Sequence, residues 1–111
     1  MDAQWKTKWV EALRSGNYEQ GKDSLREGDQ FCCLGVLTDL VIKETADAEW
    51  RDGRPALEDA LYGLGTLPEF VIEEVVLHQA DPMIKGEHLS VWNDNHGATF
   101  EQIADLIEEG L

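Results

Sequence analysis

Phe31-Cys32-Cys33-Leu34-Gly35-Val36-Leu37-Thr38-Asp39-Leu40-Val41-Ile42-Lys43-Glu44 decides how this chain folds. Phe31, Leu34, Leu37, Leu40 and Val41 fall on one helical face, and Cys33, Val36 and Ile42 widen it. A strand would suit Phe31–Leu37, but the run continues too long for one. The expectation is a helix over Phe31–Glu44, apolar nearly all round and therefore buried. Gly35 costs such a helix about 1 kcal/mol relative to Ala, so a close approach of another backbone is the reason to expect for it. Asp39 stands alone in the apolar run. It is either an acid with a raised pKa or the buried partner of an Arg or a Trp N–H. No His–Ser pair or second carboxylate sits at a spacing that suggests chemistry, which favours pairing.

Outward from this segment, the helical periodicity is clear at both ends of the chain. Trp5, Trp9, Ala12 and Leu13 form one stripe of a helix over Asp2–Ser15, with Asp2 as its cap and Gly16 as its left-handed stop. Thr99-Phe100-Glu101-Gln102 reads as a capping box. It opens a last helix whose Phe100, Ile103, Ala104 and Ile107 share a face. Thr66-Leu67-Pro68-Glu69 reads as another capping box, opening a helix over Leu67–His78. Pro55 is read as the first residue of a short helix to Tyr62. Tyr18–Lys22 and Ser24–Arg26 are read as short extended pieces or a loop, Thr45–Arg54 as a polar connection and Pro82–Gly86 as a loop. His88–Trp92 is read as one helical turn and Asn93–Gly97 as a tight turn. The expected fold is mainly α: one domain over residues 1–111 with four to five short helices and room for a small β-hairpin near Tyr18–Arg26.

The charge is lopsided. The formal net charge is -14 over 111 residues, and it accumulates towards the C-terminus. Residues 1–30 carry six acids and five bases, residues 31–67 seven and three, and residues 68–111 ten and one, Lys85. Such a field repels nucleic acid and anionic membrane and attracts basic surfaces, so neither direct nucleic-acid binding nor a membrane role is expected. No apolar run approaches the roughly 20 residues of a bilayer span. The opening Met1–Val10 lacks the apolar core of a signal peptide, and the two cysteines offer no disulfide framework, so a cytoplasmic protein is expected.

Glu101, Asp105 and Glu109 repeat at four-residue spacing with Glu108 beside them, and Glu69 and Glu73 repeat the pattern one helix earlier. Like charges so placed destabilise a helix by roughly 0.2–0.5 kcal/mol per pair. A rise of about 1.5 Å per residue sets successive carboxylates about 6 Å apart, a spacing that imitates phosphates or meets an Arg/Lys surface. The plainer alternative is a solvated, solubilising face.

Three further groups fit simple structural roles better than chemistry. Cys32 and Cys33 lie among apolar residues, which suits small core side chains better than redox or metal chemistry. His78, His88 and His96 match no metal-ligand spacing, so no metal or other cofactor is expected. Placing Gly97 at position six of a calcium loop leaves Trp92 and Ile103 where oxygen ligands belong, and the pattern fails.

Several segments taken together carry a resemblance: Trp9–Tyr18 with Gln20-Gly21-Lys22, Phe31–Leu37, Leu67-Pro68, and Asn93-Asp94 with Gly97, Thr99-Phe100 and Ile103-Ala104-Asp105. The chain resembles a family of small uncharacterised proteins encoded by bacteriophages and some bacteria, most specifically in the Phe-Cys-Cys-Leu-Gly-Val-Leu segment. The resemblance implies a phage-type accessory protein acting in the bacterial host cytoplasm, and it brings no activity or catalytic residue with it. The leading expectation is a non-enzymatic protein that binds a basic host macromolecule, as inhibitor or nucleic-acid mimic in host takeover or anti-defence. Its contact residues would be Glu69, Glu73, Glu101, Asp105, Glu108 and Glu109. The alternative is a small-molecule binder or small enzyme whose site is the Tyr18–Arg26 loop, where Lys22 and Arg26 would hold a nucleotide-like anion beside Tyr18. A third reading makes Trp5, Trp9, Trp50 and Trp92 interface anchors of an oligomer.

Overall fold

A computed structural model describes all 111 residues and corrects the mainly-α expectation. The fold is α+β, 42% helix and 18% strand, with five helices and three small sheets. The helices are α1 (Ala3–Arg14), α2 (Cys33–Lys43), α3 (Glu69–Val75), α4 (Leu89–Asp94) and α5 (Phe100–Gly110). The eight strands are β1 (Glu19–Gln20), β2 (Arg26–Glu27), β3 (Gln30–Phe31), β4 (Ala48–Arg51), β5 (Arg54–Leu57), β6 (Ala60–Leu61), β7 (Met83–Ile84) and β8 (Glu87–His88).

The strands replace loops and one expected helix for a common reason. Asp52-Gly53 and Lys85-Gly86 both hold two successive positive φ angles, the geometry of a two-residue hairpin turn that matches strand twist. The first turn joins β4 to β5 in the register Trp50↔Pro55 and Arg51↔Arg54. Pro55 therefore sits in a strand and not at a helix start, and the expected helix over Pro55–Tyr62 is the antiparallel pair β5–β6. The second turn joins β7 to β8 within the expected loop. Near the N-terminus the expected hairpin is a three-stranded mixed sheet: β3 lies between β2, antiparallel to it, and β1, parallel to it.

The helices follow their sequence signals at three sites and depart at three. Asp2 caps α1 by accepting from Trp5 N at 2.9 Å, and Gly16 turns left-handed at its end. The Thr99–Gln102 capping box forms, and Phe100, Ile103, Ala104 and Ile107 are buried. Nine of the eleven residues of α2 are buried. By contrast, the Thr66–Glu69 box does not form: Leu67 and Pro68 are drawn into the interior in extended conformation, and α3 begins only at Glu69. Helix α3 ends early as well, because Val76 adopts a left-handed conformation. Asn93, expected in a turn, is the fully buried fifth residue of α4.

One cluster of 22 buried residues forms the core, with α1 packed mainly on α5 and α2 touching α1, α3 and α4. Gly35 explains itself here. A Cβ at this position would lie 1.7 Å from the Leu25 carbonyl oxygen, so the β2 approach runs directly across α2. Each Trp uses its N–H within the fold: Trp5 to Glu74, Trp9 to the Cys33 carbonyl, Trp50 to Asp39 and Trp92 to the Ile84 carbonyl. Trp5 and Trp9 are buried and the other two half-buried.

Two polar side chains tie distant elements together. Cys32, the residue before α2, provides no side-chain cap. Asn93 does so from α4, its Oδ1 accepting from Cys33 N at 3.2 Å and from Gln20 Nε2 at 3.0 Å. Its Nδ2 donates to the Gly21 carbonyl and to Asp94 Oδ1, both at 2.8 Å. All four hydrogen-bonding positions of the amide are filled. Gln20 then reaches the start of α5, donating to the Ala98 carbonyl at 2.8 Å and accepting from Phe100 N at 3.2 Å.

Two substitutions test this packing. Helix propensity alone makes Gly35→Ala stabilising by about 1 kcal/mol. The contact with Leu25 reverses the sign, and urea unfolding is expected to show a loss of about 3 kcal/mol or more. Asn93→Asp keeps size but turns a donor pair towards two acceptors, with an expected loss of about 3 kcal/mol by the same measurement. An unchanged midpoint in either variant contradicts the geometry.

Candidate functional site

Asp39 lies on the α2 face that meets β4 and the Tyr18 segment, and it is 6% exposed. Its Oδ2 accepts from the Tyr18 hydroxyl at 2.6 Å and from Lys43 Nζ, one helical turn away, at 2.9 Å. Its Oδ1 accepts from Trp50 Nε1 at 2.9 Å. Burial pushes the carboxyl pKa up, but the hydrogen bonds from Tyr18, Lys43 and Trp50 outweigh burial and hold it below the ordinary value. Burial, and then the bond to Asp39, raises the Tyr18 hydroxyl, while the bond to Asp39 raises Lys43 against some desolvation. A carboxylate this fully occupied is a weak base. Its work is to fix Tyr18, Trp50 and Lys43 around α2.

An aromatic row continues from this cluster. Tyr18 meets Phe31 edge-on at 5.1 Å between ring centres, and Phe31 meets Trp50 at 6.0 Å. The Arg26 guanidinium lies over Phe31 and Trp50, 5.1 and 5.6 Å from their centres. Above the row opens a cleft of about 760 Å³ bounded by α1, α2 and the β2–β3 hairpin. Lys8, Arg26 and Lys43 edge it, opposed by Glu11, Asp29 and Asp39, and Ala12, Leu40, Tyr18 and Phe31 form its apolar surface. Two of the three residues expected in a ligand loop, Tyr18 and Arg26, therefore share this cleft. Lys22 is exposed and outside it. Lys8 and Lys43 have no motif of their own. Helix packing brings them in, and no spacing along the chain announces it.

All six acids of the expected contact surface are exposed. Arg14 of α1 reaches across the α1–α5 contact to Asp105 at 2.6 Å and Glu108 at 3.1 Å. This contact offsets the like-charge repulsion read along α5. The bond to Arg14 holds the Glu108 carboxyl below its ordinary pKa, and Glu108, then Asp105, raises Arg14. Lys85, in the β7–β8 turn, approaches Glu109 at 3.7 Å. Glu69, Glu73 and Glu101 have no cationic partner in the molecule. The acids divide between two helices with different supports, α5 on α1 and α4, α3 on α2.

The cysteines are core residues. Both are buried and unpaired, and burial pushes Cys32 up to about 11 and Cys33 well above its ordinary value, away from thiolate chemistry. His88 bonds the Asp81 carbonyl and His96 the Glu87 carboxylate, and no three His, Cys, Asp or Glu side chains converge as a metal site. Asp81 also accepts from Ser90 N at 3.1 Å at the start of α4. The segments that carry the family resemblance converge on the Asn93 amide: Gln20-Gly21, Cys33, Asn93-Asp94 and, through Gln20, Phe100. These particular polar groups are spent on holding the fold.

The chain matches the model of the family described as Domain of unknown function (DUF8296) over residues 1–111, and it belongs to that family. No curated protein and no solved structure matches it. No helix is long and apolar enough to cross a membrane.

Asp39 makes stability depend on pH with a defined sign. Its folded pKa lies below the unfolded value of about 3.9, so its contribution is present above that value and is lost as pH falls through the folded pKa. Asp39→Asn is expected to cost about 1–3 kcal/mol at neutral pH in urea unfolding. The gap to the natural protein should narrow as pH falls below about 4. A gap that stays constant with pH contradicts an ionised, paired Asp39.

Proposed function

Taking the chain as a member of that family, we propose that it is a phage-type accessory protein of the bacterial cytoplasm. It binds a basic host protein through its acidic surface, as an inhibitor or nucleic-acid mimic in host takeover or anti-defence, and catalyses no reaction. The observation that carries this reading is the distribution of charge. Residues 68–111 hold ten acids against one base, and Glu69, Glu73 and Glu101 stand exposed without an internal cation. Glu69 and Glu73, one turn apart on α3, offer carboxylates at about the 6 Å repeat that meets a row of Arg or Lys.

The internal pairs narrow the reading without removing the rest of the surface. Asp105, Glu108 and Glu109 are bound to Arg14 and Lys85 at the exposed surface, where ion pairs are weak and exchange readily. A partner's guanidinium groups can share these carboxylates, while Glu69, Glu73 and Glu101 need no exchange at all. Long-range attraction between a -14 protein and a basic partner would speed their encounter and fade as salt screens it.

Affinity capture from bacterial lysate on the immobilised chain, at low and high salt, tests this. A basic protein retained at low salt and released at high salt is expected. The combined variant Glu69→Lys, Glu73→Lys, Glu101→Lys should weaken its binding at least tenfold, or about 1.4 kcal/mol. Unchanged affinity for the triple variant, or retention insensitive to salt, would overturn the reading.

A further inference from the structure

We propose that the cleft between α1, α2 and the β2–β3 hairpin binds a small organic anion of nucleotide size, its anionic group on Arg26 and its planar part against Tyr18, Leu40 and Ala12. This site is distinct from the acidic surface and does not depend on it. The cleft is open to solvent, and its volume of about 760 Å³ leaves room for a ligand of that size to lie against its wall. Only nine bases oppose 23 acids in the whole chain, yet three of the nine edge this one cleft.

Arg26 is prepared for an anion. Phe31 and Trp50 support one side of its guanidinium, so little side-chain freedom remains to be lost on binding. Its Nε donates to the Gly28 carbonyl at 2.9 Å. Its other nitrogens have only Asp29, at 3.9 Å with its side chain 98% exposed. The planar fork is thus held in place with donors free for a phosphate or carboxylate. Lys8 is engaged with Glu44 only in an exposed pair at 3.0 Å, which a ligand can displace. Lys43 neutralises Asp39 and the Tyr18 hydroxyl donates to it, so the buried acid does not face the ligand bare. Glu11 and Asp29 on the rim keep the local charge near balance. With three cations against three carboxylates, the cleft has no surplus positive charge for the backbone of a nucleic acid, and the Arg26 fork is its specific anion contact.

The test is amide and Arg side-chain NMR on the full chain, titrated separately with AMP, UMP, GMP and inorganic phosphate at up to millimolar concentration. At least one of the three planar anions should give saturable shifts at Ala12, Tyr18, Arg26 and Leu40, and bind at least tenfold tighter than phosphate. Arg26→Lys, which keeps the charge and loses the fork, and Lys8→Ala, on the exposed surface, should each weaken that binding several-fold. Lys22→Ala, outside the cleft, should leave it unchanged. The proposal is overturned if no planar anion gives saturable shifts, if the shifts map elsewhere, if phosphate binds equally well, or if both cleft variants bind as the natural chain does.

Discussion

The buried amide of Asn93 joins parts of the chain that lie up to 73 residues apart, and the remaining geometry rests on that junction. It caps α2, whose own flanking residue Cys32 provides no cap, and it holds the Gly21 carbonyl so that Gln20 can reach the start of α5. Water is excluded from this position, because Asn93 is fully buried. Any one of these groups left unpaired would cost its full desolvation, so the bonds stand or fall together. Once α2 and α5 are placed, α1 fills the space beside both. Arg14 then meets Asp105 and Glu108, and Lys8 and Lys43 come to line one cleft.

What was legible in the sequence followed from local rules. The stripe of α1, the Asp2 cap, the Thr99–Gln102 box and the buried face of α5 each depend on residues within one or two turns. Gly35 and Asp39 were legible as exceptions: a glycine in a helix and an acid in an apolar run both required a tertiary partner, and Leu25 and Trp50 supply them. The β5–β6 pair is hidden in the sequence because Pro55 carries two meanings. It suits a helix start, but the Asp-Gly turn just before it had already committed the chain to a hairpin. The Thr66 box was present in sequence and absent in structure because burial of Leu67 and Pro68 outweighed a surface cap.

The candidate sites were legible in part for the same reason. Charge is additive along a chain, so the acidic bias needed no fold to be seen. Which acids remain free did need one, since Arg14 lies 91 residues from Asp105. Tyr18 and Arg26 were placed by their loop, whereas Lys8 and Lys43 entered through helix packing and Lys22 turned outward. Within the resemblance segments, Gln20, Gly21, Cys33 and Asp94 bond to Asn93, whereas Arg14, Lys22 and Asp105 are exposed. The free carboxylates of Glu69, Glu73 and Glu101 and the Arg26 fork in the cleft are the groups left for a partner or ligand.

Native-state amide hydrogen exchange tests the dependence on Asn93 most directly. The amides of Cys33 and Phe100 sit at helix starts, where exchange ordinarily proceeds through local fraying. If the Asn93–Gln20 junction binds the elements into one unit, both amides exchange only through the same global opening as the central amides of α2 and α5. Exchange of either through an opening smaller by about 2 kcal/mol or more would show that the helix starts come apart independently, and would contradict the account.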